Sequence, residues 1–521
     1  MTWRIYLLLA LLGLVVATLV AALQPSPGYM DADYYYAGGL QLAAGHGFTE
    51  PYLWNYLDDP VGLPHPSNAY WMPLASLFAA AGAMLFGSAS WITARAGFLV
   101  VAALIPPVTA ALAWSFSSRR DLALVSGLLA IFPAFYLPFL SVTDTFGLYM
   151  LFGGLFFLIL NRKASAINPF LLGLLAGLMH LTRADGLLWL LVAFLAVVFV
   201  LPKSPRYRFL NTLSFLLLTL AGYLLVMTPW LIRNYQAFGA PLAPGSSKTL
   251  WLTSYDQLFS YPADQITFSV WFHSGLLTIL RARLWALGLN LSNMLTVQGE
   301  VILLPLAGLG FWYLRNDHRV QLAGAAWLVI LAAMTIAFPF AGARGGFFHS
   351  GASVQTIWWA LAPVGLDRLI AWGIRIRSWN PVRSTTIFRT GLVTIMALIT
   401  AAIVYVRVLG GGGYQPWGQE NIAYNQIKDV LVSDGMTVQS IVMVANPPGF
   451  YLASGNPAIA VPNGDEHTLL TVASRYGAKY LVLEAGSVPV GLTPVYDNPK
   501  GWTGLDYLGD VEAARVFLVQ P

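Results

Sequence analysis

The chain has 521 residues, of which 57% are hydrophobic and only 10% carry a charge, and its mean hydropathy is +0.65. This composition excludes an ordinary soluble domain and is typical of a protein that crosses a membrane several times. There is no cysteine, which excludes disulfide bonds and thiolate chemistry. The net charge is +5, and the positions of the charged residues along the chain are more informative than this total.

Long apolar segments recur from the N-terminus to about residue 409. The first, Trp3 to Leu23, is long enough to cross a ~30 Å hydrocarbon core and is expected to be an uncleaved anchor. With it, the hydropathy pattern predicts about eleven transmembrane helices. The others are expected near 95–116, 121–142, 144–160, 168–181, 186–201, 209–229, 297–314, 320–340, 353–371 and 390–409.

Arginine and lysine gather at alternate junctions between these segments. The positive clusters lie at 119–120, 162–163, 203–208, 315–319 and 375–389. By the positive-inside rule these junctions face the cytoplasm, so the N-terminus is expected inside and the C-terminus outside. The long outer loops are then 24–94 and 230–296. Residues 72–87 are apolar but too short to span, and they are expected to form a surface or re-entrant helix.

The pattern changes after the three consecutive glycines that end at Gly413. Residues 420–433 and 466–476 are predicted to be helices, whereas 440–445, 479–484 and 515–519 are predicted to be strands. We therefore expect a polytopic α-helical membrane domain over residues 1–409 and a small extracytoplasmic α/β domain over residues 414–521. The tail carries no phosphate-binding loop or nucleophile motif, and the chain shows no nucleic-acid signature.

Acidic residues are scarce, with 23 Asp and Glu in the whole chain, so those near the predicted outer surface stand out. Asp31 and Asp33 follow the first span directly, and Asp144 lies at the outer end of a helical hairpin. Such carboxylates can accept a proton from an acceptor hydroxyl or bind a divalent metal. All three are candidate catalytic residues, and Asp33 and Asp144 are the candidate metal ligands. A helix N-cap is the structural alternative.

Aromatic and polar side chains surround the first acids in sequence and recur at 230–235. Rings, amides and an arginine at a membrane exit can stack on a sugar and hydrogen-bond to it, although an ordinary interfacial aromatic belt has the same composition. The candidate substrate-binding residues are Tyr34, Tyr35, Trp54, His65, Tyr70, Trp71, Arg233 and Asn234.

Some outer cations are not explained by the positive-inside rule. Arg344 and His349 lie on either side of a Gly-Gly-Phe-Phe stretch in a short link between two spans. Glycine lets the backbone approach a ligand, and the guanidinium fork matches phosphate oxygens. Both residues are candidates for binding a phosphate, and an interfacial arginine that snorkels to water is the alternative.

The order of these motifs resembles the GT-C membrane glycosyltransferases. After the first helix come the acids, Tyr34-Tyr35, an Ala- and Gly-rich helix and Gly45-His46-Gly47. Later matching stretches are His65-Pro66, Tyr70-Trp71-Met72-Pro73-Leu74, Leu181-Thr182-Arg183 and Pro229-Trp230-Leu231-Ile232-Arg233-Asn234. The closest groups are the protein mannosyltransferases and aminoarabinose transferases, often called family 39. The resemblance covers about residues 1–409.

The resemblance implies a polyprenyl-phosphate-linked sugar as donor and a glycan, lipid or protein acceptor on the outer face. It makes Asp31 the general base, with Asp33 as the alternate, and Asp144 the second acid. It also implies that Arg95 and Arg183 bind the lipid phosphate. The sequence departs from the family pattern in Asp-Ala-Asp and in having Arg183 where a lysine is often found, which leaves the base and the use of a divalent metal open.

The expected activity is an inverting transfer of a hexose or pentose at the extracytoplasmic side of the plasma membrane. A transporter or flippase of a lipid-linked or small polar substrate is the alternative. Transporters of this kind have paired half-repeats and broken helices at mid-membrane, and the sequence shows neither. A scaffold with an outer binding domain is a third hypothesis, under which Asp31 should tolerate substitution.

Overall fold

The computed structural model describes residues 1–160, 165–200 and 208–520. The predicted inner cations Arg162, Lys163, Lys203 and Arg206 lie outside these ranges. Up to residue 407 the described chain is mostly helical. The helices are α1 Trp3–Ala22, α2 Met30–Ala43, α3 Leu74–Leu85, α4 Trp91–Ala94, α5 Ala96–Ser117, α6 Arg120–Ile131, α7 Leu137–Leu140, α8 Phe146–Ile159, α9 Ile167–Thr182, α10 Leu187–Phe199, α11 Arg208–Phe238, α12 Pro244–Lys248, α13 Phe268–His273, α14 Leu276–Asn293, α15 Leu303–Tyr313, α16 His318–Ala332, α17 Pro339–Ala341, α18 Phe347–Arg377 and α19 Pro381–Arg407.

Among the described residues, five helices are long and apolar enough to cross a membrane, and there are seven if each bent pair counts as one span. The bent pairs are Arg120–Ile131 with Ala134–Leu140, at 43°, and Leu276–Gln298 with Leu303–Tyr313, at 91°. The multi-pass helical architecture is therefore confirmed. The count of about eleven and the orientation with the N-terminus inside stay predictions.

Close helix packing places two candidate site residues at the same end of the bundle. A Cβ atom on Gly153 of α8 would lie 1.8 Å from the carbonyl oxygen of Ser353 on α18, so only glycine allows this approach. Asp144 lies two residues before α8, and His349 lies in the first turn of α18. Contact between the two helices therefore brings these side chains together.

The first outer loop folds mainly around α2 and α3. Gly39 of α2 lets the helices meet, because a Cβ atom there would lie 2.6 Å from the Cβ of Ala79 on α3. The predicted helix at 72–87 is confirmed as α3. Two short strands, β1 Thr49–Glu50 and β3 His65–Pro66, pair antiparallel, and β2 Tyr52–Leu53 lies between them in sequence.

The tail folds as a mixed sheet with helices on it, which confirms the expected α/β character. The helices and strands are α20 Gln419–Ser433, β4 Ile441–Val444, α21 Pro447–Ser454, β5 Ala458–Ala460, α22 Glu466–Tyr476, β6 Ala478–Glu484, α23 Thr493–Asp497, β7 Leu505–Val511 and β8 Ala514–Val519. The strand order is β2-β5-β4-β6-β8-β7. Strands β2, β5, β4 and β6 run parallel, and β8 pairs antiparallel with both β6 and β7.

The edge strand β2 belongs to the first outer loop rather than to the tail. Tyr52 pairs with Ala458 and Leu53 with Ile459, and all four residues are buried. Helix α21 also packs on α2. Since the tail completes its sheet with a strand from residues 24–94, the two parts share a hydrophobic core. The division into domains at 1–409 and 414–521 stays a prediction.

Candidate active site

A cavity of about 470 Å³ opens between α2, α11, α18 and the loop segments around them. This volume falls in the range of small-molecule sites. Its wall is mostly apolar, and five ionisable side chains converge on it: Asp31, Arg183, Asp185, Arg344 and His349. Of the described residues, these come from three separate stretches of the sequence, so the fold rather than local sequence assembles the site.

Asp31, Asp144 and His349 form a compact group at one side of the cavity. One ligand atom from each lies within 4.8 Å of the others. His349 Nε2 lies 3.4 Å from Asp144 Oδ2 and 3.7 Å from Asp31 Oδ2. His349 Nδ1 lies 3.0 Å from the carbonyl oxygen of Gly345, and because a carbonyl only accepts, Nδ1 carries the proton. Nε2 is thereby directed at the two carboxylates.

Asp144 is fully buried behind His349, in the link between α7 and α8. Its carboxylate accepts hydrogen bonds from the Tyr29 hydroxyl and from the backbone N–H and hydroxyl of Thr145. Burial opposes the charge, but attraction to His349 and these hydrogen bonds outweigh it and lower the pKa of Asp144. Asp144 is thus a stable carboxylate that orients the histidine.

Asp31 is the acid that faces the cavity, and 29% of its side chain is exposed. Burial is the largest influence on its pKa and raises it to about 6, with Asp144 adding to the rise while His349 and Arg183 oppose it. A carboxylate with this pKa is ionised at neutral pH yet more basic than an ordinary aspartate. That is the property required of a general base.

The three-residue group also has the ligand chemistry of a divalent-metal site. Two carboxylates and an imidazole suit ions such as Mn²⁺ or Zn²⁺, and the Nδ1–H bond to Gly345 is the contact that typically orients a metal-binding histidine. Asp31, Asp144 and His349 therefore fit such an ion. Asp33, which the sequence suggested as a metal ligand, is not part of this group.

Two arginines supply positive charge to the cavity, but they differ in their partners. Arg183 Nε donates to Asp185 Oδ1 at 2.9 Å, so its charge is partly neutralised. Arg344 lies over the ring of Tyr255, 5.0 Å from its centroid. In the described part of the chain Arg344 forms no ion pair with an acidic side chain. Its guanidinium is therefore available for an anionic ligand.

Aromatic rings form another wall of the cavity. Trp54 and Trp71 stack with their centroids 4.1 Å apart and an interplanar angle of 11°, and Tyr70 packs edge-on against Trp54. Tyr35 and Asn234 also line this space. Rigid rings beside a few polar groups suit a sugar or an isoprenoid chain.

The structure places six other predicted site residues away from the cavity lining. Asp144 lies behind it, as described. Asp33 lies on the opposite face of α2 from Asp31, because two helical residues are rotated by about 200°. Its Oδ2 accepts from Asn446 Nδ2 at 2.9 Å. The remaining four have structural partners: Tyr34 with Asn68, His65 with Asp58, Arg95 with Gln24, and Arg233 with Phe48.

The contacts of three of these residues hold them in the outer loops. His65 Nε2 lies 2.7 Å from Asp58 Oδ2. Arg95 donates to the Gln24 carbonyl oxygen at 3.1 Å and packs on Trp91. Arg233 donates to the Phe48 carbonyl oxygen at 3.1 Å and packs on Trp230. In this structure they brace the outer loops instead of lining the cavity.

Three residues near the site were missed by the sequence reasoning: Tyr29, His180 and Tyr255. Asp185, which pairs with Arg183 and lines the cavity, had a usable signal, since both charges lie in one short loop. Tyr29 and Tyr255 had none, because each reaches the site from a loop by tertiary packing. His180 lines the cavity one turn before Arg183.

No family model matches this chain, and no curated protein matches it. Solved structures do match. The oligosaccharyltransferase AglB from Archaeoglobus fulgidus, in complex with an inhibitory peptide and a dolichol-phosphate, has a TM-score of 0.57 at 14% identity. The match covers 92% of this chain and 69% of AglB.

ArnT from Cupriavidus metallidurans, bound to undecaprenyl phosphate, has a TM-score of 0.54 at 12% identity, over 98% of this chain and 97% of ArnT. The arabinofuranosyltransferase AftD from Mycobacteria has a TM-score of 0.51 at 13% identity, over 100% of this chain and 42% of AftD. All three are GT-C membrane glycosyltransferases. The fold of this chain is therefore the GT-C fold, as its sequence motifs indicated.

Proposed function

We propose that the protein transfers a sugar from a polyprenyl-phosphate-linked donor to an acceptor at the outer face of the plasma membrane. The observation that carries this proposal is the convergence of a basic carboxylate, Asp31, and two arginines, Arg183 and Arg344, on one cavity in a GT-C fold. Such a site combines a proton acceptor for the nucleophile with cations for a phosphate leaving group.

Asp31 acts as the general base in this proposal. It takes the proton from the acceptor hydroxyl or amine as the acceptor attacks the anomeric carbon of the sugar. The bond between that carbon and the phosphate oxygen breaks, and the electron pair leaves with the polyprenyl phosphate. A single displacement inverts the anomeric configuration, and no covalent enzyme intermediate forms.

Arg344 and Arg183 bind the donor phosphate and stabilise the negative charge that grows on it. Arg344 provides the larger contribution because, among the described side chains, no carboxylate pairs with it. A guanidinium can bind two phosphate oxygens at once, and in a site with restricted water its charge is only weakly screened. The ArnT structure bound to undecaprenyl phosphate supports a polyprenyl phosphate as the leaving group.

A divalent metal ion would be held by Asp31, Asp144 and His349. When bound, it would supply positive charge that orients the donor phosphate or the acceptor. The AglB structure in complex with Zn and sulfate supports the presence of metal and anion sites in this fold. The Gly345 carbonyl accepts from His349 Nδ1, which leaves Nε2 as the nitrogen that would bind such an ion.

The sugar is proposed to contact the ring wall formed by Trp54, Tyr70 and Trp71. Their faces suit the apolar surface of a pyranose or furanose, and Asn234 offers an amide for its hydroxyl groups. The acceptor is a glycan, a lipid or a protein on the same side of the membrane.

The proposal is tested with purified protein and a panel of undecaprenyl-phosphate-linked hexoses and pentoses, with an envelope extract as the acceptor source. The readout is release of free undecaprenyl phosphate, which is the same for every donor. We expect acceptor-dependent release from at least one donor. If no donor is turned over and undecaprenyl phosphate itself does not bind, the proposed function is wrong.

A further inference from the structure

A second, smaller cavity lies between the first outer loop and the tail, on the side of α2 opposite to the proposed catalytic site. Its volume is about 10 Å³, which is close to the space that one water-sized occupant needs. It is lined by Ser26 from the loop, Asp33 from α2, and Glu420 and Asn421 from α20. Two regions that are far apart in sequence therefore share one enclosed polar space.

Two carboxylates face this cavity without a cationic partner in the described part of the chain. Among the described side chains, Asn446 donates to both: its Nδ2 lies 2.9 Å from Asp33 Oδ2 and 3.0 Å from Glu420 Oε1. The two oxygens are thus no more than about 6 Å apart. One amide donor does not balance two ionised carboxylates, so both groups can be charged together only if a cation lies beside them.

The Ser26 hydroxyl is a separate indication of a missing ligand. The residue is only 8% exposed, and its Oγ has no hydrogen-bond partner among the described residues. Its carbonyl oxygen, by contrast, accepts from Trp417 Nε1 at 3.0 Å, so the backbone of Ser26 is fixed by the tail. A buried hydroxyl without a partner, beside the buried carboxyl group of Asp33 and the partly buried one of Glu420, is costly unless something else bonds to all three.

We propose that one Ca²⁺ ion binds in this cavity, held by Asp33, Glu420 and Ser26. The Asn421 side-chain oxygen, which also accepts a long hydrogen bond from Asn425 Nδ2 at 3.3 Å, is a further ligand. The two carboxylates balance the double charge, and together these groups offer up to about six oxygens, as Ca²⁺ requires. Mg²⁺ fits less well, because it retains several water molecules and the cavity has space for only one occupant.

The ion joins the tail to the helix that carries the proposed base. Asp33 lies two residues after Asp31 on α2, and Glu420 lies in the first turn of α20. Holding these helices together fixes the rotation of α2, which directs Asp31 into the catalytic cavity. Asp33, Glu420 and Ser26 are therefore positioning residues, and the binding site does not depend on the proposed transfer reaction.

The test uses full-length protein in detergent, freed of metal with a chelator and then titrated with Ca²⁺ or Mg²⁺ alone. The double variant Asp31→Asn, His349→Gln serves as the background protein. It removes two of the three candidate metal ligands in the active-site group of Asp31, Asp144 and His349. Equilibrium binding of radioactive Ca²⁺ and the thermal unfolding midpoint are measured. The matched control is Asp429→Asn, which removes an exposed carboxylate from the same helix α20 as Glu420.

We expect the background protein to bind one Ca²⁺ and to unfold at a higher temperature when Ca²⁺ is added. Adding Glu420→Gln should weaken Ca²⁺ binding at least tenfold and abolish the thermal shift, whereas Asp429→Asn should change neither. If Glu420→Gln does not fold, Ser26→Ala is tested in its place. It keeps both carboxyl groups and should weaken Ca²⁺ binding by a smaller factor. The inference is overturned if the background binds no Ca²⁺, if Mg²⁺ binds as tightly, or if Glu420→Gln and Asp429→Asn bind Ca²⁺ equally.

Discussion

His349 should set the pH at which Asp31 becomes an active base. Its Nε2 lies 3.7 Å from Asp31 Oδ2. When Nε2 also carries a proton, the full positive charge of the imidazolium at that distance is worth about 1 kcal/mol at the dielectric constant of water and about 4.5 kcal/mol at an effective value of ~20. Since one pKa unit is about 1.36 kcal/mol, His349→Gln should raise the pKa of Asp31 by about one to three units from its value of about 6.

The assay is kcat/KM for release of undecaprenyl phosphate as a function of pH, because this profile reports the free enzyme. A general base must be deprotonated, so activity falls as the pH drops through the pKa of Asp31. The wild-type acid limb should lie near pH 6, and in His349→Gln it should lie at pH 7 or above.

Asp144→Asn provides the opposite control. The negative charge of Asp144 raises the pKa of Asp31, so its removal should move the acid limb below the wild-type position. An acid limb that stays in place in both variants, or that moves in the same direction in both, would refute the electrostatic account of the base.

Three further outcomes follow from the structure. Arg344→Gln should weaken undecaprenyl phosphate binding by roughly tenfold or more, because a hydrogen bond to a charged group is worth about 1.5–3 kcal/mol. The matched control is Arg281→Gln, which changes an exposed arginine and should have no effect; equal affinities of the two variants would contradict this role of Arg344. Trp71→Ala should raise KM for the sugar donor while binding of undecaprenyl phosphate alone is retained, and a loss confined to carrier binding would show that the ring wall holds the lipid. Gly153→Ala should lower the unfolding midpoint because its methyl group would meet the Ser353 carbonyl, and Gly288→Ala, which meets nothing within 4 Å, should not.

Much of the candidate active-site cavity could be predicted, because its residues are of types that are rare at the positions they occupy in membrane sequences. Asp31, Arg183, Arg344 and His349 are charged or polar groups at membrane boundaries, where unpaired charge is costly, and the structure brings all four to one cavity. The GT-C fold could also be predicted. Each sequence motif is weak by itself, but the order of the motifs along residues 1–409 matches that of the GT-C glycosyltransferases.

What could not be predicted depends on geometry rather than on residue type. Asp33 was the alternate to Asp31 as the base, but both lie in the first turn of α2, where the helix places them on opposite faces. Arg95 and Arg233 looked like free cations, because sequence does not reveal the backbone carbonyls that occupy them. Strand β2 has only two residues, which is too few to show a periodic pattern. Its pairing with the tail sheet therefore could not be predicted from the sequence.

The central claim is that Asp31 is the base, and the most direct test is turnover of Asp31→Asn at a pH where the wild type is fully active. General-base catalysis contributes about 10²–10⁴-fold, so turnover should fall by at least about a hundredfold. Binding of undecaprenyl phosphate and the thermal unfolding midpoint should stay near their wild-type values, and the exposed Asp59→Asn serves as the matched control. Turnover of Asp31→Asn within a few-fold of wild type, in protein that is folded and binds the carrier, would contradict the account.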